Sequence, residues 1–127
     1  MSEKVQSYKD LVVWRKAIAL VEQSYLCVAR FPRDEVYGLT SQIRRAAVSI
    51  AANIAEGYGR DQTGSFLQFL KIPQGSTREL ETHFIIAERI KYIDSETSSV
   101  MANHCEEISK MLRALIRSIE AGRDGGG

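Results

Sequence analysis

The sequence has little of several residue types, and each shortage excludes a class of protein. Only two of its 127 residues are cysteines, Cys27 and Cys105, and neither belongs to a Cys-x-x-Cys motif. We therefore expect no disulfide scaffold and interpret both as buried thiols of a protein in a reducing cytoplasm. The two histidines do not form the Glu-x-x-His pairs of di-iron bundles, so we predict no metal and no cofactor.

Net charge and long apolar runs are scarce as well. The formal net charge is +1, so nucleic-acid binding would need local basic patches. The apolar runs are too short and interrupted to span a bilayer, and the first ten residues lack the apolar core of a targeting segment. No nucleophile elbow or phosphate-binding glycine loop is present, which favours a cytoplasmic, non-enzymatic protein with no catalytic residues and no membrane partner.

Helical periodicity, by contrast, runs through the whole chain. Apolar residues recur every three or four positions in four segments, and no segment alternates with period two. We predict a first helix capped by Asp10, a second from an N-cap at Thr40 to about Gly57, a third from about 64 to 92, and a fourth from about 97 to 121. Their short loops predict an all-α, antiparallel up-down-up-down four-helix bundle over residues 8–121, with flexible termini at 1–7 and 122–127. The predicted core stripe of the first helix is Leu11, Trp14, Ile18, Val21, Tyr25 and Val28.

The third helix contains a proline. Pro73 removes one backbone donor and clashes with the carbonyl of Phe69, and Gly75 weakens the same turn. We predict a kinked third helix rather than two separate helices.

The second helix carries no charge from Ala46 to Ala55. Its predicted core stripe is Ile43, Ala47, Ile50 and Ile54, and a second apolar surface consists of Val48, Ala51, Ala52 and Ala55. A helix that is apolar nearly all round is buried nearly all round, so this surface predicts contact with another copy of the chain. A second stripe on the first helix consists of Val13, Leu20 and Cys27, and it also predicts contact with another copy of the chain. The alternative is that alanines are simply good helix formers tolerated in water.

Polar residues of the second and third helices suggest a structural tie. Asn53 borders the core stripe, so its amide needs hydrogen-bond partners. Ser76 and Glu79 on the third helix are the candidates. We favour a tie that fixes the register of the helices over a ligand contact.

Basic residues concentrate on the second helix and its exit. Residues 40–60 hold Arg44, Arg45 and Arg60 against Glu56, three positive charges minus one, or +2. Because arginine binds phosphate well, we predict that these three arginines, with Lys71 as a secondary contact, bind RNA or DNA. A pairing of Arg45 with a carboxylate across a subunit interface is the open alternative.

Three segments of the sequence resemble a known family. They are "YKDLVVWRKAIALV", "FPRDEVYGLTSQIRRAAVSIAANIAEGYGR" and "FLQFLKIPQGSTRELETHFIIAERIKYI", within about residues 8–93. They are similar to the four-helix bundle proteins encoded in intervening sequences of bacterial 23S ribosomal RNA genes. The most specific matches are Phe31-Pro32, Glu35, Tyr37-Gly38-Leu39, Gln42, Arg44-Arg45-Ala46, Asn53, Glu56-Gly57 and Gly59.

The resemblance implies a four-helix bundle that is often assembled as a homopentamer. The accessory variability proteins of diversity-generating retroelements share this architecture and bind nucleic acid and a reverse transcriptase. The resemblance therefore implies a self-assembling scaffold for nucleic acid or for a protein partner, and it supplies no settled physiological role. Pro73 departs from the family pattern, which puts only the straightness of the third helix in doubt.

An enzymatic alternative comes from the segment "RELETH". Arg78 and His83 have the R-x4-H spacing that resembles the metal-independent ribonuclease motif of HEPN helical domains. Five residues along a helix correspond to roughly 140° around it, so the two side chains would diverge. We keep a helical ribonuclease as the alternative to the scaffold.

Overall fold

Four α-helices account for most of the computed structural model, which describes residues 7–60 and 62–125, with side chains up to residue 122. The helices are α1 (Val12–Val28), α2 (Leu39–Tyr58), α3 (Thr63–Arg89) and α4 (Ser95–Gly125). They are joined by short connections and pack as neighbours around one core, and the described ranges contain no strand. The predicted all-α four-helix bundle is confirmed. None of these described helices is both long and apolar enough to cross a membrane.

The start of α1 differs from the prediction. Ser7 and Asp10 cap a short 3-10 turn, Tyr8–Asp10: Ser7 Oγ accepts a hydrogen bond from Lys9 N, and an Asp10 oxygen accepts one from Ser7 N, both at 3.2 Å. Leu11 is the N-cap of α1 and makes no side-chain capping bond. The prediction of Asp10 as the cap of α1 was wrong because its carboxylate is used one turn earlier.

Gly38 rather than Thr40 is the N-cap of α2, and the side chain of Glu35 caps the first turn. Glu35 Oε2 accepts a hydrogen bond from the Leu39 amide at 2.9 Å, and Thr40 lies inside the helix with 4% exposure. The other oxygen, Oε1, accepts a hydrogen bond from the Tyr92 hydroxyl at 3.1 Å. A Cβ at Gly38 would lie 2.8 Å from Oε2, so glycine leaves room for the carboxylate. One side chain therefore joins the α1–α2 connection to the α3–α4 connection.

The ends of α3 and α4 also shift from their predicted positions. α3 ends at Arg89, before the predicted Tyr92, and Lys91 takes the left-handed conformation at φ 69°. α4 begins at Ser95, where Asp94 Oδ1 accepts a hydrogen bond from Thr97 N at 2.8 Å. α4 runs to Gly125, past the predicted end at residue 121. Residues 1–6 and 126–127 of the predicted flexible termini lie outside the described residues.

The core confirms the prediction for α2 and corrects it for α1. All four predicted core residues of α2, Ile43, Ala47, Ile50 and Ile54, are 0% exposed. On α1 the buried residues are Val13, Ala17, Leu20, Ser24 and Val28. Of the predicted stripe, Val28 is buried and Tyr25 is exposed, whereas the other four residues are partly buried and pack at the side of the core.

The correction on α1 has a physical reason. Ala17 and Ser24 are both 0% exposed, and such small residues let a helix approach its neighbours closely. A pattern that counts only large apolar residues misses them and rotates the predicted face. Val13 and Leu20 belong to the core of this chain, so they cannot form a second stripe toward another subunit.

α2 and α3 approach each other closely at Gly57. A Cβ at Gly57 would come within 2.7 Å of Phe69 Cβ and 3.1 Å of Phe66 Cδ1. Pro73 is buried within α3, which continues through it as one helix, as predicted. Thr77 Oγ1 donates a hydrogen bond to the Pro73 carbonyl at 2.6 Å. The kink itself stays a prediction.

Candidate nucleic-acid interface

Arg44 and Arg45 lie beside each other in the first half of α2, at the edge of an open groove of about 580 Å³. The Arg44 guanidinium carbon is 5.2 Å from the centroid of the Tyr25 ring on α1. Arg44 Nε is buried and has no hydrogen-bond partner, whereas Arg45 is exposed. Among the described residues neither arginine forms an ion pair. Both positive charges are therefore free to meet an anion.

Of the other two predicted basic residues, Arg60 lies far from this pair. Arg60 follows the end of α2, more than about 20 Å along the helix axis from Arg44. Its guanidinium pairs with Glu56 at 2.8 Å and lies 4.5 Å from the centroid of the Phe69 ring. Lys71 is exposed on α3, two residues after Phe69. Arg60 is thus separate from the arginine pair, and its charge is already balanced by Glu56.

Tyr37 is the residue that the sequence analysis missed at this site. It precedes α2 and is 95% exposed, the largest exposure among the large hydrophobic residues of the described chain. Its ring lines the groove together with Arg44 and Arg45. The available signal was an aromatic residue seven and eight positions before two arginines, but this spacing does not show whether its ring is exposed.

The predicted contact surface of α2 is only partly on the outside. Val48 is 42% exposed and Ala52 is exposed, whereas Ala55 is half-buried. Ala51 is 5% exposed and belongs to the core of its own chain. Ala51 therefore cannot contribute much to a contact with another copy.

The predicted polar tie between α2 and α3 exists in a modified form. Ser49 Oγ and Ser76 Oγ are 2.8 Å apart, so one hydroxyl donates to the other across the two helices. Asn53 Nδ2 donates to the Ser49 carbonyl at 2.9 Å and to Ser49 Oγ at 3.1 Å. Glu79 Oε2 instead accepts a hydrogen bond from His83 Nε2 at 3.0 Å. Ser49 is thus the missing middle member of the tie, and Glu79 is not part of it.

The Arg78–His83 pair does not have the geometry of a joint site. Arg78 is exposed, whereas His83 is 8% exposed and its Nδ1 is buried without a partner. The only polar side chain that the described structure places against His83 is Glu79. The predicted divergence of Arg78 and His83 around α3 agrees with this difference in exposure.

Metal-ligating and nucleophilic side chains are dispersed. Within the described ranges, no three His, Cys, Asp or Glu residues come together as a metal site would require. Cys105 is buried in α4, whereas Cys27 is only half-buried. Burial raises the pKa of the Cys105 thiol to about 12, with the Glu81 carboxylate adding to the effect. Such a thiol is protonated at neutral pH and is a poor nucleophile.

The fold and these side chains define an all-α helical bundle with a basic, aromatic groove and no assembled catalytic centre among the described residues. The chain belongs to the 23S rRNA-intervening sequence protein family, whose model matches residues 9–114. This result confirms the resemblance seen in the sequence.

One solved structure similar to this chain comes from Bacteroides thetaiotaomicron. It is a protein with unknown function from the S23 ribosomal protein family, 26% identical to this chain, with a TM-score of 0.75. The match covers 83% of this chain and 98% of the other. No curated protein matches this chain.

Proposed function

We propose that this protein is a non-enzymatic, self-assembling scaffold of the cytoplasm that binds nucleic acid through Arg44 and Arg45. The observation that carries the proposal is the pair of adjacent arginines in α2 with no carboxylate partner in the described structure. An arginine guanidinium presents a planar set of donors that fits a phosphate group. An unpaired arginine can use those donors without first breaking an ion pair.

Self-assembly makes a small basic patch effective. The net charge of one chain is only +1, which is too small for strong binding by a single copy. In a closed ring the arginine pair would repeat around the axis, and one strand would contact several copies at once. Family resemblance suggests a pentamer, and the exposed Val48 and Ala52 on the same helix suggest where neighbouring copies meet.

The proposal is tested by fluorescence anisotropy with a labelled RNA and a labelled DNA at several salt concentrations. Affinity should fall steeply with salt for the wild type, because each phosphate contact releases counterions. Replacing Arg44 and Arg45 together with Gln should weaken binding and reduce the slope of log affinity against log salt by roughly 1.4 for single strands.

A matched control removes the same charge elsewhere. Arg113 and Arg117 are exposed on α4, and their joint replacement with Gln should leave the salt slope close to that of the wild type. An equal loss in both double variants would mean that only the total charge matters. No binding by the wild type at low salt would overturn the nucleic-acid role and leave a protein partner as the target.

A further inference from the structure

We propose that the groove at the start of α2 binds single-stranded nucleic acid in preference to a duplex, with a base stacked on Tyr37 and the adjacent phosphates on Arg44 and Arg45. This inference rests on the proposed function. It adds Tyr37 to the site and specifies the form of nucleic acid that the site binds.

The charge of the groove fits an anionic ligand. Its lining contains Arg44 and Arg45 and no carboxylate. Ser41, Ser49, Asn53 and the hydroxyls of Tyr25 and Tyr37 supply the other polar groups. A ligand that carries phosphates would therefore meet two cations and no carboxylate among the described lining residues. An acidic peptide would satisfy the same charge but would not explain the aromatic residue beside it.

Tyr37 provides the surface for a base. Its side chain is 95% exposed, so nothing in the described chain covers either face of the ring. Stacking of an unpaired base on an aromatic ring is a common means of binding single strands, and it tolerates any sequence because every base has a flat face. In a duplex the bases are already stacked on one another and are not available to Tyr37.

The groove is also held in place before any ligand arrives. The segment that carries Tyr37 is anchored by Glu35, whose carboxylate holds the Leu39 amide and the Tyr92 hydroxyl. The Arg44 guanidinium lies over the Tyr25 ring, which limits its motion, and its Nε is buried. Little conformational entropy is then lost when a strand binds, which favours affinity.

The test compares labelled oligouridine and oligodeoxythymidine of 20 nucleotides with a labelled duplex of 20 base pairs, in low salt. The wild type should bind both single strands more tightly than the duplex. Tyr37→Leu should weaken single-strand binding by about 5- to 150-fold, the range typical of one stacked base, and leave duplex binding nearly unchanged. Tyr37→Phe keeps the ring and should bind like the wild type.

Leu26→Ala is the control for loss of an exposed apolar side chain, since Leu26 is 67% exposed on α1 and does not line the groove. Light scattering should give the same mass for the wild type and Tyr37→Leu. Equal binding of single strands and duplex, or an unchanged affinity of Tyr37→Leu, would overturn this inference while the arginine result above stands. A reduced mass of Tyr37→Leu would also overturn it, because Tyr37 would then contact another copy of the chain.

Discussion

Among single residues, the two thiols differ because their surroundings differ. Cys105 is 1% exposed, and burial, followed by the charge of Glu81 on α3, raises the pKa of its thiol. Burial also raises the pKa of Cys27, but Arg30 opposes this effect. Glu106 and Glu107 follow Cys105 in the sequence, but neither of them is a cause of its raised pKa. Neighbours in a helix sequence point in different directions, and the carboxylate that acts on Cys105 comes from another helix.

The buried thiol predicts a loss of stability at high pH. In the unfolded chain Cys105 ionises near pH 9.0, whereas in the folded chain the pKa is about 12. The raised pKa favours the folded state below pH 9, and this advantage is lost as the pH rises from about 9 to 12. Relative to Cys105→Val, the wild type should lose up to roughly 1.4 kcal/mol of unfolding free energy per pH unit in this window.

Urea titrations of both proteins at pH 7.5, 9 and 10.5 measure this difference. Cys27→Val is the control, and its unfolding free energy should follow the wild type more closely. Parallel curves for the wild type and Cys105→Val would show that the thiol ionises equally well in the folded chain.

For the helices, the separation of α2 and α3 depends on one glycine. A methyl group at Gly57 would meet Phe69 Cβ and Phe66 Cδ1, and the first of these atoms cannot swing away. At Gly75, in α3, an added Cβ would meet no atom within 4 Å. Both glycines lie inside helices, but only the first is needed for close approach of the two helices.

Alanine substitutions at the two glycines should change the free energy of unfolding in opposite directions. Gly57→Ala should destabilise the bundle by about 1–3 kcal/mol, because α2 and α3 must move apart. Gly75→Ala should stabilise it by roughly 0.5–1 kcal/mol, since alanine favours the helix and fills open space. Chemical denaturation of both variants measures the effect. A stabilising Gly57→Ala would mean that the phenylalanines repack without cost.

The helices also show how much the sequence could predict. The stripe of α2 was predicted correctly because isoleucines mark its buried face. The face of α1 was not, since Ala17 and Ser24 occupy its centre and the larger residues pack at its sides. The start of α2 was missed for a related reason: Glu35 caps it from outside the helix, and local patterns favour a Ser, Thr, Asp or Asn.

In the whole molecule, the outer face of α2 is the surface on which assembly is expected. Ala52 is exposed in the centre of the uncharged stretch, whereas Val48 also borders the groove. Ala52→Glu should dissociate the oligomer and leave helical circular dichroism intact, because a charge buried without a partner is costly. Light scattering at micromolar concentration measures the mass. Ala114→Glu makes the same exchange on the exposed side of α4 and should not change the mass.

A monomeric wild type in the same measurement would contradict the proposed assembly. The uncharged surface of α2 would then reflect the tolerance of alanine in water.

The candidate site was predictable only in part. Arg44 and Arg45 could be named from charge alone, but their separation from Arg60 follows from the length of α2. The pairing of Arg60 with Glu56 depends on side-chain conformations that composition does not determine. Tyr37 could not be distinguished from a core tyrosine, because exposure is a property of the assembled fold.

The hydrogen bonds of Glu35 have a consequence for local unfolding of the bundle. Its two oxygens hold Leu39 N and the Tyr92 hydroxyl, so when this carboxylate leaves its place both connections lose a bond together. Local opening at the end of the bundle where these two connections meet should then be a single concerted event.

In Glu35→Ala, hydrogen exchange should accelerate by a similar factor at the amides of Gly38, Leu39, Lys91 and Tyr92. Asp94→Ala should accelerate only the first turn of α4, and acceleration confined to Gly38 and Leu39 in Glu35→Ala would show that the two connections open independently.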